Sequence, residues 1–158
     1  MKALTRSRSR IRHRQRGVAA VELGFLLIPL VMMIFGITEL GRAIYSYNTL
    51  DKTVRDAARH LSQHGPGDAT IAAEARCLAV YGVTDCTGTA VAPGLTTGMV
   101  TICDASLCQS THANQSTGLG SVNLVTAGIQ GYAYVSVVHF VVPNMTFNNI
   151  STTLRAQL

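Results

Sequence analysis

Residues 17–38 read GVAAVELGFLLIPLVMMIFGIT, and from Leu23 to Thr38 they hold no charged side chain. Between Val18 and Ile37 the apolar run is interrupted by Glu22 alone. Twenty helical residues rise about 30 Å, the hydrocarbon thickness of a bilayer. The stretch therefore predicts one membrane-spanning helix, with the span over about residues 20–38.

On its N-terminal side, Lys2, Arg6, Arg8, Arg10, Arg12, Arg14 and Arg16 account for seven of the 13 Lys and Arg in the 158-residue chain, and no acid occurs there. From Val18 onward six bases face eight acids, so the pI of 9.3 describes a short tail and not a basic domain. Binding to nucleic acid needs a basic face on a folded surface, and none is expected here. After the span come Arg42, Lys52, Arg55 and Arg59, fewer bases than precede it. Positive-inside asymmetry predicts a cytoplasmic N-terminus and an exported C-terminal region. A cleaved secretory signal would want a small-residue site after the apolar core, which Ile37-Thr-Glu-Leu-Gly-Arg42 does not supply.

On the C-terminal side the helical pattern continues. Leu40, Ile44, Tyr47, Leu50, Val54, Ala58 and Leu61 recur at steps of three and four, one apolar stripe on a helix. Asp51 and Arg55 stand one turn apart, acid before base. His64-Gly65-Pro66-Gly67 stops the helix, which the pattern places over residues 18–63. Within the span, Pro29 removes a backbone hydrogen bond and predicts a kink, while Gly24, Gly36 and Gly41 are sites of close approach. Glu39 and Arg42, at i and i+3 on the outer boundary of the span, read as an exposed ion pair, the alternative being that Glu39 meets an Arg on a neighbouring subunit or helix.

Asp68 is a candidate N-cap for a second helix running through Ile71, Ala75 and Leu78 to Tyr81, closed by Gly82. Beyond it the composition shifts to Gly, Thr, Ser and Val. Residues 99–103, 132–142 and 149–156 read as strands, with Pro143-Asn144 as the turn between the last two and His139 on a solvent face. Residues 109–121 read as a mobile loop. The expected fold is α+β: a basic segment over 1–17, a long helix over 18–63, and a small extracytoplasmic region over 64–158 with a short helix and a small antiparallel sheet.

All four cysteines, Cys77, Cys86, Cys103 and Cys108, lie beyond the span, where export favours disulfides. Four cysteines allow three connectivities; local pairing of Cys77 with Cys86 and Cys103 with Cys108 is the simplest. Cys103-x4-Cys108-x3-His112 has ligand-like spacing, but the other pair is poorly spaced for zinc and exported thiols oxidise. No metal is expected. The five histidines share no spacing with an acid or nucleophile that suggests catalysis, and Gly-x-Ser-x-Gly, His-Glu-x-x-His and phosphate-loop motifs are absent from the sequence. The reading is of a chain that is not an enzyme and takes no cofactor.

Glu22 carries the most information. A carboxylate near the start of a membrane helix costs on the order of 1–3 kcal/mol to insert unless a cation meets it. Cutting after Gly17 would create an α-amino group at Val18, and the amino terminus of one subunit could then neutralise Glu22 of the next.

Gly17-Val18-Ala-Ala-Val-Glu22, between a basic leader and an apolar helix, resembles the prepilin peptidase site of type IV pilin-like proteins. Phe35-Gly-Ile-Thr-Glu39-Leu-Gly-Arg42-Ala, with Val54-Arg-Asp-Ala-Ala-Arg59, resembles more specifically the TadE-like pseudopilins (minor pilins) of tight-adherence (Flp) pilus systems. The resemblance covers about residues 14–60. It implies a pilin-like fold, processing between Gly17 and Val18, and a role for Glu22 in peptidase recognition or subunit docking. The partners it implies are a prepilin peptidase, other TadE- or TadF-like pseudopilins, the major Flp pilin and an inner-membrane assembly platform. It further implies a single-pass protein of the bacterial inner membrane, with its C-terminal region periplasmic or carried into an extracellular pilus. Many relatives place Phe or Tyr directly after the Glu, whereas this chain has Leu23, with its first aromatic at Phe25. The rival readings are an uncleaved, single-span periplasmic binding protein and an exported enzyme.

Overall fold

The computed structural model describes residues 12–157, with side chains from Gly17 onward; Lys2, Arg6, Arg8 and Arg10 lie outside the described residues. Helix α1, Arg12–Ser62, is continuous over 51 residues, about 75 Å at 1.5 Å per residue, and runs through Pro29. From Gly17 to Phe35 every described side chain is exposed. The second half of the same helix is the spine of a small head.

The buried face of that second half holds Glu39, Ala43, Leu50, Val54, Ala57, Ala58 and Leu61. The apolar stripe read from the sequence is correct from Leu50 onward but shifts in the lower turns, where Leu40, Ile44 and Tyr47 are exposed and Glu39 and Ala43 point inward. The reason is size and polarity. Ala43 lets the head approach the helix closely, and the head supplies donors for a carboxylate at position 39.

Helix α2, Ala69–Tyr81, begins and ends on local signals. The Asp68 carboxylate accepts the Thr70 and Ile71 N–H groups at 2.8 and 3.4 Å. Gly82 adopts φ +75° and its N–H returns to the Leu78 carbonyl, the left-handed ending that glycine takes without strain. Ala72, Ala75, Ala79 and Val80 of α2 pack toward α1 and the sheet.

The remaining elements are β1 (Val100–Cys103, entered by a 3-10 turn, Thr97–Met99), the short helix α3 (Gln109–His112), β2 (Gln115–Ser116), β3 (Ser121–Val122), β4 (Leu124–Ile129), β5 (Tyr132–Tyr134), β6 (Met145–Phe147) and β7 (Ile150–Arg155). The main sheet is antiparallel in the order β1-β4-β7, with Ile129 opposite both Val100 and Ile150. Helix α1 lies across β4 and β7, and α2 across β1. The core is thus one layer of helix on one layer of sheet, closed by Ile102, Val125, Ala127, Ile129 and Ile150. The fold is the expected α+β arrangement.

Four sequence expectations are corrected. The central strand β4 was not anticipated. Its Gly128 weakens a strand in isolation, yet a Cβ there would lie 3.1 Å from both Ser151 Cβ and Thr101 Oγ1, so the neighbouring strands would have to give by a few tenths of an ångström to admit a side chain. Residues 109–121 hold α3 and the β2–β3 pairing instead of forming a featureless loop. The strand read over 132–142 ends at Tyr134; residues 137–142 are turns, and His139 is exposed on them rather than on a strand face. Pro143-Asn144 leads into β6, which pairs back on β5 with Tyr132 opposite Phe147.

Candidate functional site

The sequence-derived site residues fall into separate regions. Gly17, Val18 and Glu22 lie on the exposed first turns of α1, and among the described residues nothing pairs with Glu22. Well above them, where the helix meets the head, a second carboxylate is enclosed.

Glu39 is only 3% exposed. Its Oε1 accepts the Tyr134 hydroxyl at 2.8 Å and the Val137 N–H at 3.1 Å. Arg42, one turn along α1, donates Nη1 to both carboxylate oxygens at 3.1 and 3.2 Å while remaining 46% exposed. Burial pushes the Glu39 carboxyl upward, but donation from Tyr134, Val137 and Ser136 and the Arg42 charge outweigh it, leaving the carboxyl below its ordinary value. The Tyr134 hydroxyl moves the other way, through burial first and then its bond to the carboxylate.

The exposed ion pair expected at this position is therefore corrected: the carboxylate is buried by the head, and the pair is one part of a clamp joining α1 to β5 and the segment after it. Aromatic packing widens the clamp. The Arg42 guanidinium sits 5.7 Å from the Tyr134 ring centroid, Tyr134 stacks on Phe147 at 6.0 Å, and Tyr47 meets Phe147 edge-on at 5.5 Å. Tyr134, Val137 and Phe147 were not singled out in the sequence. The alternation Tyr132-Ala-Tyr134 marks two inward aromatics, but nothing local says that one of them reaches a carboxylate 95 positions earlier.

The cysteines pair locally. Cys77 bonds Cys86, with Cα atoms 4.7 Å apart, and ties the last turns of α2 to the following loop. Cys103 bonds Cys108, with Cα atoms 5.4 Å apart, and closes the loop after β1. His112 lies beside this second bridge, its ligand atom and the two sulfurs falling within 4.8 Å of one another. With the sulfurs joined to each other, no thiolate remains there to hold a metal. His112 instead hydrogen-bonds with Thr111 and Thr126, at 2.7 Å in each case.

Inside the bridged loop, Asp104 accepts the N–H groups of Ser106, Leu107 and Gly67 at 2.8, 2.7 and 2.9 Å, connecting the loop to the α1–α2 turn. Burial raises its carboxyl, and those three donors with the nearby His112 lower it further, so it lies below its ordinary 3.8. On this face the chemistry is that of a structural cradle.

The chain thus joins a long exposed apolar helix to a small disulfide-bearing α+β head whose spine is the far half of that helix. Residues 17–59 match the family model described as TadE-like protein. The match bears out the resemblance drawn from the helix: this part of the chain is similar to the TadE-like family of Tad pilus systems. No curated protein and no solved structure matches the chain. Most of the head lies outside the family match. The helix is long and apolar enough to cross a membrane.

Proposed function

We propose that the chain is a minor pilin or pseudopilin, cut after Gly17 by a prepilin peptidase and taking part in the assembly, initiation or tip of a tight-adherence pilus. The span holds it in the bacterial inner membrane with the head on the periplasmic side. The observation that carries this reading is the isolation of Glu22. It stands exposed on an apolar helix surface with no cation to meet it among the described side chains. The α-amino group of Val18 on a neighbouring subunit fits that need, and processing is what creates it.

The exposed faces of α1 support the same role. Leu40, Ile44 and Tyr45 continue the apolar surface of the span onto the flank of the head, giving neighbouring pseudopilins or the major pilin a packing surface. The head then offers a surface to partners of the assembly platform or the tip. A role in packing needs no active site, and the enclosed carboxylates, Glu39 and Asp104, are occupied by structural donors.

Mass spectrometry of the membrane-extracted protein tests processing: an N-terminus at Val18 is expected, and an intact leader in cells with active peptidase would refute it. Glu22→Ala tests docking. The variant should insert normally but fail to co-purify with pilus partners; unchanged assembly would reject the role of Glu22.

A further inference from the structure

The segment joining β5 to β6 is Val135-Ser-Val-Val-His-Phe-Val-Val-Pro-Asn144, a loop without a formal charge at neutral pH when its histidine is neutral. Val135, Val137 and Phe140 are 66, 72 and 71% exposed. Ordered loops of soluble proteins seldom present such a cluster to water. This one is ordered by its own bonds. Val137 N–H goes to Glu39, Ser136 N–H to the Asn144 side chain at 2.9 Å, and Val138 N–H to Ser136 Oγ at 3.2 Å. Val141 and Val142 N–H groups both go to the Val138 carbonyl, at 2.9 and 3.0 Å.

The position of the loop along α1 is the second observation. A Cβ built on Gly36 would lie 3.4 Å from Val141 Cγ1, so the loop rests against the helix at that level. Phe35, Thr38, Glu39 and Arg42 line a cleft with Val137 and Val138. Gly36 belongs to the uncharged run 23–38 and lies about 3 Å below Thr38 along the axis. The loop therefore reaches down beside the last turn of the span. Just above it stand half-exposed Arg42 and exposed Tyr45, side-chain types that sit at lipid headgroups.

We propose that residues 135–142 are a second membrane contact: the loop lies at the interface of the leaflet on the side of the head, next to the span, and the side chains of Val135, Val137 and Phe140 reach the upper acyl chains. The occupant of this surface is lipid, because the exposed valines and Phe140 continue the lipid-facing surface of α1 at the same level. The backbone N–H groups of Ser136, Val137, Val138, Val141 and Val142 are satisfied within the protein, which lowers the cost of holding this non-helical segment at the edge of the hydrocarbon. Glu39 and Arg42 hold the loop against the helix, so the head has two points of membrane contact and a fixed attitude to the bilayer. The inference rests on the membrane-spanning reading of residues 20–38.

The chain has no tryptophan, so a single introduced one reports alone. Phe140→Trp, Phe25→Trp within the span and Leu119→Trp on a distant exposed loop are each made in the full chain and reconstituted in phosphatidylcholine vesicles, with or without lipids brominated on the upper acyl chain. Tryptophan at 140 should emit to the blue and lose most of its emission to the brominated lipid, while tryptophan at 119 loses none; Val135→Trp reads the same loop from a second position. Quenching at 25 with red-shifted, unquenched emission at 140 and 135 overturns the loop insertion and leaves the span intact. Blue-shifted emission at 140 without lipid quenching also overturns it, since protein then covers the loop. Absence of quenching at 25 as well as 140 overturns the membrane-spanning reading together with the inference built on it.

Discussion

Glu39 and Asp104 show how two carboxylates on one small protein are held by different partners. Glu39 is surrounded by a hydroxyl, an amide and a guanidinium contributed by both α1 and the head. Glu39→Ala would leave the Val137 amide without an acceptor and the Tyr134 hydroxyl with only its long 3.4 Å bond to the Glu39 carbonyl, which costs more than the lost bonds themselves. The expected result is a lower melting temperature of the head and faster hydrogen exchange at Val137, with Glu39→Gln, which keeps an acceptor, falling between alanine and the parent. For Asp104 the depressed carboxyl sets a pH signature. Its contribution to stability is complete above the ordinary value of 3.8 and is lost as pH falls through its lower folded value. Asp104→Asn should therefore unfold earlier than the parent at neutral pH, and the gap in denaturation midpoint should close on acidification below 3.8.

At the scale of elements, α2 shows the most local control. Asp68 caps its first turn, and Asp68→Ala should cost about 1 kcal/mol of head stability in urea unfolding. The bridges act on the chain around it. They close short loops, with sequence separations of 9 and 5; chain entropy assigns each about 2–3 kcal/mol. Replacing either pair by serine should lower the unfolding midpoint by a corresponding amount, and reductant should do the same to the parent while leaving the apolar half of α1 helical by circular dichroism. Helix α2 was legible in the sequence because its signals lie within a turn of where they act: Asp68 before it, Gly82 after it, small apolar residues between. The short β5 was not. Its apolar continuation over 135–142 follows the composition of a strand, and only the absence of a neighbouring strand to pair with makes it a loop.

On the scale of the whole molecule, one helix serves two environments. From Gly17 to Phe35 it is exposed, while its second half contributes Leu50, Val54, Ala57, Ala58 and Leu61 to the core of the head. A fragment beginning at residue 64 lacks these side chains and should fail to unfold cooperatively, whereas one beginning at residue 39 keeps both the core stripe and the Glu39 clamp and should melt in a single transition, followed by circular dichroism. Sequence by itself determined the apolar half of α1 and both caps of α2, because each depends on residues near one another in the chain; the local cysteine pairing was one of three it allowed, and the structure chose it. Tertiary structure alone decided which face of the lower helix is buried, the place of β4 at the centre of the sheet, and the enclosure of Glu39 by Tyr134 and Val137. Those outcomes depend on groups brought together from distant positions, where close packing and the need to satisfy buried donors and acceptors outweigh local propensity.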